Sequence, residues 1–303
     1  MKKVLITGGS GFLGLWVAKK LLTQQYQVRI ADIQHNPHLA QAILGSQSEQ
    51  LEWVHTDVTS IDDLRTAVSN CDHIVHLAGL LTPQCRANPL DAYQVNYQSL
   101  LYLFELAREF QLPQIIYAST AGVYGPHHNQ YPEPVTFYGA FKLGAEHLAR
   151  AYWTDAEPEQ KIASIGLRPL VVYGPGRLGG ASAGPSIACT KAIKQEAYII
   201  PFSGQTGFIY VEDVSEIILR SLQKPPQGAH VLNLSGVMAQ SEEVAQEIIK
   251  QTGFSDIHVR GPSLGIQVPT QNLADHPWLG DLQYTSIRDG ISKTLAFERN
   301  RYE

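Results

Sequence analysis

The chain is 303 residues long, 44% hydrophobic and 17% charged, with a formal net charge of −5. That length holds one large α/β domain, or a large domain with a smaller one, and the acidic balance without a basic run gives a nucleic-acid surface no electrostatic support. Cys71, Cys85 and Cys189 lie far apart, with neither a disulfide framework nor metal-ligand spacing, and no apolar run approaches membrane-spanning length, so a cytoplasmic protein without a metal or a membrane partner is expected.

Val4 to Ile6 predict a buried strand, and Leu15 to Leu22 place apolar side chains at helical spacing. The turn between them is a phosphate cradle: Gly8 allows the tight turn, Gly11 lets backbone amides approach a pyrophosphate, and Gly14 lets the helix pack on the strand. Ser10, Phe12 and Leu13 belong to the same cradle. A second strand, Gln27 to Ala31, ends in Asp32, 18 residues after Gly14, where a carboxylate holds the ribose hydroxyls of NAD and repels the 2′-phosphate of NADP.

A helix near His38 to Leu44 and a strand from Leu51 to His55 follow, and the strand stops at Asp57. That carboxylate is placed to reach the adenine amino group, to cap a helix from Ser60 to Val68, or both. The next strand, Asp72 to Leu77, carries His76 as a core histidine and runs into Ala78 and Gly79, small enough for backbone to lie against a cofactor. Leu80 to Pro89 read as a loop at the ligand-binding edge of the sheet, which makes Leu80, Thr82 and Arg86 candidate substrate contacts. A long helix with a wide apolar face is predicted from Leu90 to Phe110, with Asn96 inside it.

A further strand, Gln114 to Ala118, opens onto Ser119, Thr120 and, beyond them, Tyr124. His127 and His128 follow as loop surface. Tyr138 and Lys142 are four apart, one turn along a helix that continues to about Tyr152. A phenol with an ordinary pKa near 10 is a poor base at neutral pH, and an adjacent ammonium from Lys142 favours its phenolate. With Thr120 holding the substrate oxygen, Tyr138 removes its proton while hydride leaves for the nicotinamide.

These residues resemble the extended short-chain dehydrogenase/reductase superfamily, the NAD-dependent epimerase/dehydratase group. The resemblance rests on the Gly8, Gly11 and Gly14 spacing, Asp32, Asp57-Val58, the His76 to Gly79 strand end, Asn96, Ser119 to Gly125, Tyr138 with Lys142, Arg168 to Pro175, and Phe208 to Val214. It implies that Thr120 is the catalytic hydroxyl with Ser119 as its neighbour. It also implies that Val58, Leu77, Ala78, Gly79, Asn96, Ser119, Tyr138 and Lys142 line the NAD site and that Pro169, Leu170 and Val171 run beside the nicotinamide. The helices near 90–110 and 138–152 suit the homodimer contact of many relatives.

The expected fold is a Rossmann-type doubly wound parallel sheet over residues 1–168, with further core segments near 208–235. A smaller, discontinuous substrate lobe is expected mainly from 169–303. Ile162 to Leu167 reads as the sixth strand, and the lobe is built from strands at Tyr198 to Pro201 and His230 to Leu234, with helices at Ser186 to Gln195, Asp213 to Leu222 and Glu242 to Gly253, the last capped by Ser241, and a closing helix at Thr285 to Phe297. Arg177 to Pro185, a loop of small residues, is either a mobile cover or a plain connection, and Arg177 and Tyr124 join the substrate contacts. Nucleotide-sugar enzymes of the group commonly carry Asn at the place of Val171 and Arg at the place of Thr206. Neither a Val nor a neutral Thr pairs a diphosphate as Arg does, although Arg177 or Arg260 can compensate. The residues therefore favour an NAD-dependent dehydrogenase of a small sugar-, sugar-acid- or hydroxy-acid-like substrate. A nucleotide-sugar 4-epimerase or dehydratase with tightly held NAD is the alternative, and a catalytically silent NAD-binding protein ranks last.

Overall fold

Val4 and Ile6 turn to one face of a sheet and Leu5 to the other, all fully buried, and each face carries its own apolar cluster. A strand buried on both faces is what a parallel sheet sandwiched between helices requires. The computed structural model describes residues 1–126, 131–264, 266, 268–269, 271 and 273–302, so His127 and His128 lie outside the described residues.

The first half runs β1 (Lys3–Thr7), α1 (Phe12–Thr23), β2 (Gln27–Asp32), α2 (Pro37–Leu44), β3 (Glu52–His55), α3 (Ile61–Val68), β4 (His73–His76), α4 (Thr82–Ala87), α5 (Pro89–Tyr93), α6 (Ser99–Glu109), β5 (Gln114–Ala118) and α7 (Phe137–Thr154). The second half runs β6 (Ala163–Pro169), β7 (Val171–Tyr173), α8 (Gly184–Ile193), β8 (Tyr198–Ile200), β9 (Gln205–Tyr210), α9 (Val211–Gln223), β10 (Ala229–Leu234), β11 (Val237–Gln240), α10 (Ser241–Thr252), β12 (Ile257–Val259) and α11 (Ile287–Tyr302). The main sheet has seven strands in the order β10-β6-β5-β4-β1-β2-β3, all pairs parallel. Strand order reverses between β1 and β4, which opens a ligand crevice at their carboxyl ends. Two smaller sheets, β11-β9-β7 and β12-β8, stand beyond that edge.

Several local expectations are corrected. The stretch Leu80 to Pro89 is not a plain loop: it forms α4, with Pro83 in its first turn, where its missing N–H costs nothing. The continuous helix from Leu90 to Phe110 is broken, because Gln94–Gln98 form a π-turn between α5 and α6. Wide turns of this kind concentrate at functional sites, and this one carries Asn96. Ser60, not Asp57, caps α3 by accepting from the Asp63 N–H at 3.2 Å. Asp57 closes a local turn instead, accepting from the N–H and hydroxyl of Thr59 at 2.9 and 2.7 Å. Ser241 is the first residue of α10 and donates its hydroxyl to the Gly204 carbonyl, while the capping position falls on Gln240. Strands β7, β11 and β12, of three, four and three residues, are too short to stand out by periodicity alone.

Candidate active site

At the crevice the backbone is packed too closely for side chains. A Cβ on Gly8, whose φ is +65°, would lie 2.5 Å from the Ala78 N, and one on Gly14 would lie 2.5 Å from the Gly9 Cα. Gly9, which the spacing of the other glycines does not single out, is equally constrained, 2.7 Å from the Ile6 carbonyl oxygen. Gly11 differs: only the Gly8 carbonyl oxygen, 3.3 Å away, would meet its Cβ. Gly11 heads α1, which has neither a side-chain cap nor an acid in its first turn, and the Ser10 hydroxyl is buried without a partner. Free amides, an orphaned hydroxyl and an open glycine face fit a dinucleotide pyrophosphate. Asp32 accepts from the Ser10 N–H at 3.1 Å and the Gln34 N–H at 3.1 Å, so the carboxylate expected at the ribose also braces the turn. Phe12, Leu13, Leu77 and Ala78 line the crevice partly buried, Val58 is buried, and Asp57 is exposed at the outer end.

The floor of the crevice is neutral. His76 meets the Thr7 hydroxyl at 2.7 Å and the Ser99 hydroxyl at 3.1 Å, and burial, with Lys142 nearby, lowers its imidazole to about 3. Asn96 is 1% exposed: it accepts from the Leu80 N–H at 3.1 Å and donates to the Leu80 carbonyl at 3.0 Å and to Cys85 Sγ at 3.2 Å. A Cβ on Gly79 would lie 2.8 Å from Asn96 Oδ1 and 3.4 Å from Lys142 Nζ, so Asn96 and Lys142 come together under this backbone.

Thr136 caps α7 by accepting from the Gly139 N–H at 3.0 Å, which places Tyr138 in its first turn. A Cβ on Gly139 would lie 2.4 Å from the Gly122 carbonyl oxygen, so this glycine lets the helix lie against the turn that follows Thr120. The Tyr138 hydroxyl is hydrogen-bonded with Thr120, whose oxygen also accepts from the Gly122 N–H at 3.0 Å. Burial pushes the Tyr138 phenol up to about 12, and the Thr120 bond and Arg177 oppose that rise. Arg177 is thus a cation acting on the phenol that the Tyr138 and Lys142 spacing does not single out. Lys142 is 3% exposed, and burial brings its ammonium down to about 8 against the opposing charges of Cys85 and Glu146.

Arg177 donates to the Val172 carbonyl and, at 2.9 Å, to the Ser182 hydroxyl. Its loop touches the opposite wall, because a Cβ on Gly180 would lie 3.2 Å from Leu81 Cδ1 and 3.6 Å from Arg177 Nη2. Pro169 and Leu170 are partly buried and Val171 is buried at the start of β7. Other substrate candidates are not drawn in. Thr82 and Arg86 are exposed on α4, whose inward residue is Cys85, and Arg260 is exposed. Tyr124 is 4% exposed, with its hydroxyl accepting from Arg168 at 2.6 Å and lying 3.2 Å from Asn233, so it belongs to the framework beneath the site. Glu146, buried on the same helix as Lys142, is a residue that motif spacing passed over; a carboxylate on an otherwise inward stripe is its only sequence signal.

No helix of the described residues is long and apolar enough to cross a membrane, and the described residues hold no cluster of metal-ligating side chains. A parallel sheet with a glycine cradle, an acid at the second strand end and a Thr, Tyr and Lys set define an NAD-dependent enzyme of the extended short-chain dehydrogenase/reductase type. The chain belongs to the NAD dependent epimerase/dehydratase family, whose model matches residues 4–235. A Bacillus subtilis relative, YtcB, named as an uncharacterized UDP-glucose epimerase, is 25% identical over 99% of each chain. Among solved structures, the UDP-N-acetylglucosamine 4-epimerase from Methanobrevibacter ruminantium, in complex with UDP-N-acetylmuramic acid, matches with a TM-score of 0.84 at 21% identity over 99% of each chain. A partial consensus L-threonine 3-dehydrogenase matches with the same TM-score of 0.84 at 20% identity, over 98% of this chain and 99% of its own. The shared fold therefore does not choose between epimerisation and net dehydrogenation.

Proposed function

We propose that the chain is a nucleotide-sugar 4-epimerase that oxidises a secondary alcohol of the sugar to a ketone and reduces it again from the other face. The observation that carries the chemistry is the enclosed Tyr138 hydroxyl, bonded with Thr120 and one helical turn from buried Lys142. The similarity to YtcB supports the substrate class and outweighs the sequence-based preference for a small sugar-, sugar-acid- or hydroxy-acid-like substrate. NAD, held in the glycine cradle, supplies the hydride acceptor and donor. Thr120 holds the carbinol oxygen, Tyr138 takes its proton as phenolate and returns it as phenol, and Lys142 binds beneath Gly79 on the cofactor side. Because burial raises the phenol, Tyr138 rests in the protonated form that the reductive step draws on, and Arg177 favours the phenolate that the oxidative step requires.

One observation favours the second reading, a net dehydrogenase of a small sugar-, sugar-acid- or hydroxy-acid-like substrate. Val171 and Thr206 are 2% and 1% exposed and uncharged, and the Thr206 hydroxyl has no partner, so neither offers a diphosphate a cation. Incubation with NAD separates the two. Conversion of UDP-glucose to its 4-epimer without accumulation of NADH supports the epimerase; NADH accumulation with free sugar acids, and no conversion of UDP-glucose, replaces it with the dehydrogenase. The epimerase proposal includes a homodimer. Leu90 and Phe137 are 78% and 52% exposed, and Tyr93 sits 5.6 Å from the Tyr97 ring and 6.2 Å from Phe141, forming an apolar aromatic patch on α5 and α7 suited to a second copy. Sedimentation of the parent as a monomer would refute that part.

A further inference from the structure

Beneath the catalytic side chains lies a buried ion pair that no step above uses. Glu146 follows Lys142 by one turn on the inward stripe of α7, and Arg168 reaches it from β6, with side-chain exposures of 5% and 11%. Arg168 Nε donates to Glu146 Oε1 at 2.8 Å while Nη2 donates to Oε2, a two-pronged bond. The Ser119 hydroxyl also donates to Glu146, and Arg168 Nη1 donates to the Tyr124 hydroxyl at 2.6 Å and to Asn233 Oδ1 at 3.5 Å. Three of these residues adjoin the site in sequence: Ser119 precedes Thr120, Arg168 precedes Pro169, and Glu146 lies one turn beyond Lys142.

We propose that the Glu146–Arg168 pair is the positioning device of the active site, fixing Thr120, the Tyr138 and Lys142 helix and the Pro169 strand end against one another, with Glu146 as the counter-charge of the Lys142 ammonium. A buried pair costs several kcal/mol of desolvation per ion, and apolar replacements of similar volume are often at least as stable, so stability alone does not account for it. What an apolar pair lacks is the fixed two-pronged angle and the charge. The titratable groups that face Lys142 are Cys85 from α4, His76 from β4 and Glu146; among them Glu146 is the carboxylate. Removing its charge leaves Arg168 uncompensated as well. Both changes act in one direction and release the Lys142 proton at lower pH.

The outer side of the pair opens on a cleft of about 590 Å³ that Leu143, Arg150 and His230 also line, so an isosteric change there has room. The inference rests on the catalytic assignment of Tyr138 and Lys142, and the test separates the two. Isotope-edited NMR follows the Lys142 side chain across pH in the NAD-loaded protein, its signal assigned by loss in Lys142→Met. Conversion of UDP-glucose is followed in parallel. Glu146→Gln is expected to lower the Lys142 midpoint by about one pH unit or more and to cut the conversion rate about tenfold or more with little change in KM. Ser119→Ala, which removes one bond and no charge, is expected to slow conversion severalfold and leave the midpoint in place. An unmoved midpoint in folded Glu146→Gln overturns the proposal, and that titration reads the pair whether or not UDP-glucose is turned over. If Glu146→Gln does not fold, a Lys142 signal that changes neither in chemical shift nor in line shape in Ser119→Ala overturns it. Parental conversion by Tyr138→Phe overturns the catalytic assignment instead.

Discussion

The wall of the crevice made by β1 and β4 takes its shape from backbone, since Gly8, Gly9 and Gly14 each leave less than 3 Å for a Cβ. The wall that includes β7 and β9 adds side chains to its backbone: Val171, Phe208 and Thr206 are all buried there, while Gly207 of β9 is closed by backbone, since a Cβ on it would overlap the Ser235 carbonyl oxygen. The first wall tolerates almost no change and recognises what the whole family shares. The second can change at Val171, Thr206 or Phe208 by exchanging one side chain, which is why the cofactor follows directly from this chain and the substrate does not.

The comparison breaks first at Tyr138. Replacement by Phe should cut turnover roughly a thousandfold and leave NAD affinity near that of the parent. If titration calorimetry shows NAD lost to the same degree, Tyr138 belongs to the backbone-shaped wall and not to the chemistry. Gly8→Ala should cost roughly 1–3 kcal/mol of stability, because it combines a φ of +65° with the contact at Ala78; an unchanged melting temperature would show that the turn yields. Asp32→Ala should raise the affinity for NADP relative to NAD by roughly tenfold, as a carboxylate no longer faces the 2′-phosphate. An unaltered ratio would leave Asp32 with only its bond to Ser10. On the other wall, Thr206→Val should change stability by less than about 1 kcal/mol, or raise it slightly, since the buried hydroxyl gives up no bond. A marked loss of melting temperature would mean that Thr206 is framework.

The same contrast explains what was legible in the sequence. Glycine spacing, a carboxylate at a strand end and a Tyr and Lys four apart are local patterns, and the structure places Asn96 and Lys142 beside Gly79 and Thr120 beside Tyr138. Short strands such as β7 and β11, three and four residues long, exist because they pair with β9, a long-range fact that no local period records. The Glu146–Arg168 pair, 22 residues apart, was hidden for the same reason. Arg177 was found for its charge, yet its action on Tyr138 depends on a loop folding back across the site.

The π-turn at Gln94–Gln98 lets one stretch of chain serve two masters. Before it, Tyr93 faces outward toward Phe141; after it, Ser99, Leu100 and Leu103 face inward, with Ser99 touching His76. A regular helix advances 100° per residue and a wide turn absorbs about one residue's rotation, so straightening this segment into a regular helix without a deletion would swing one flank by about that angle against the other. Either the aromatic patch would rotate off the surface or the hydroxyl under His76 would leave the floor. The extra residue therefore acts as a phase shifter, letting the outer face and the catalytic floor be tuned in sequence independently of each other.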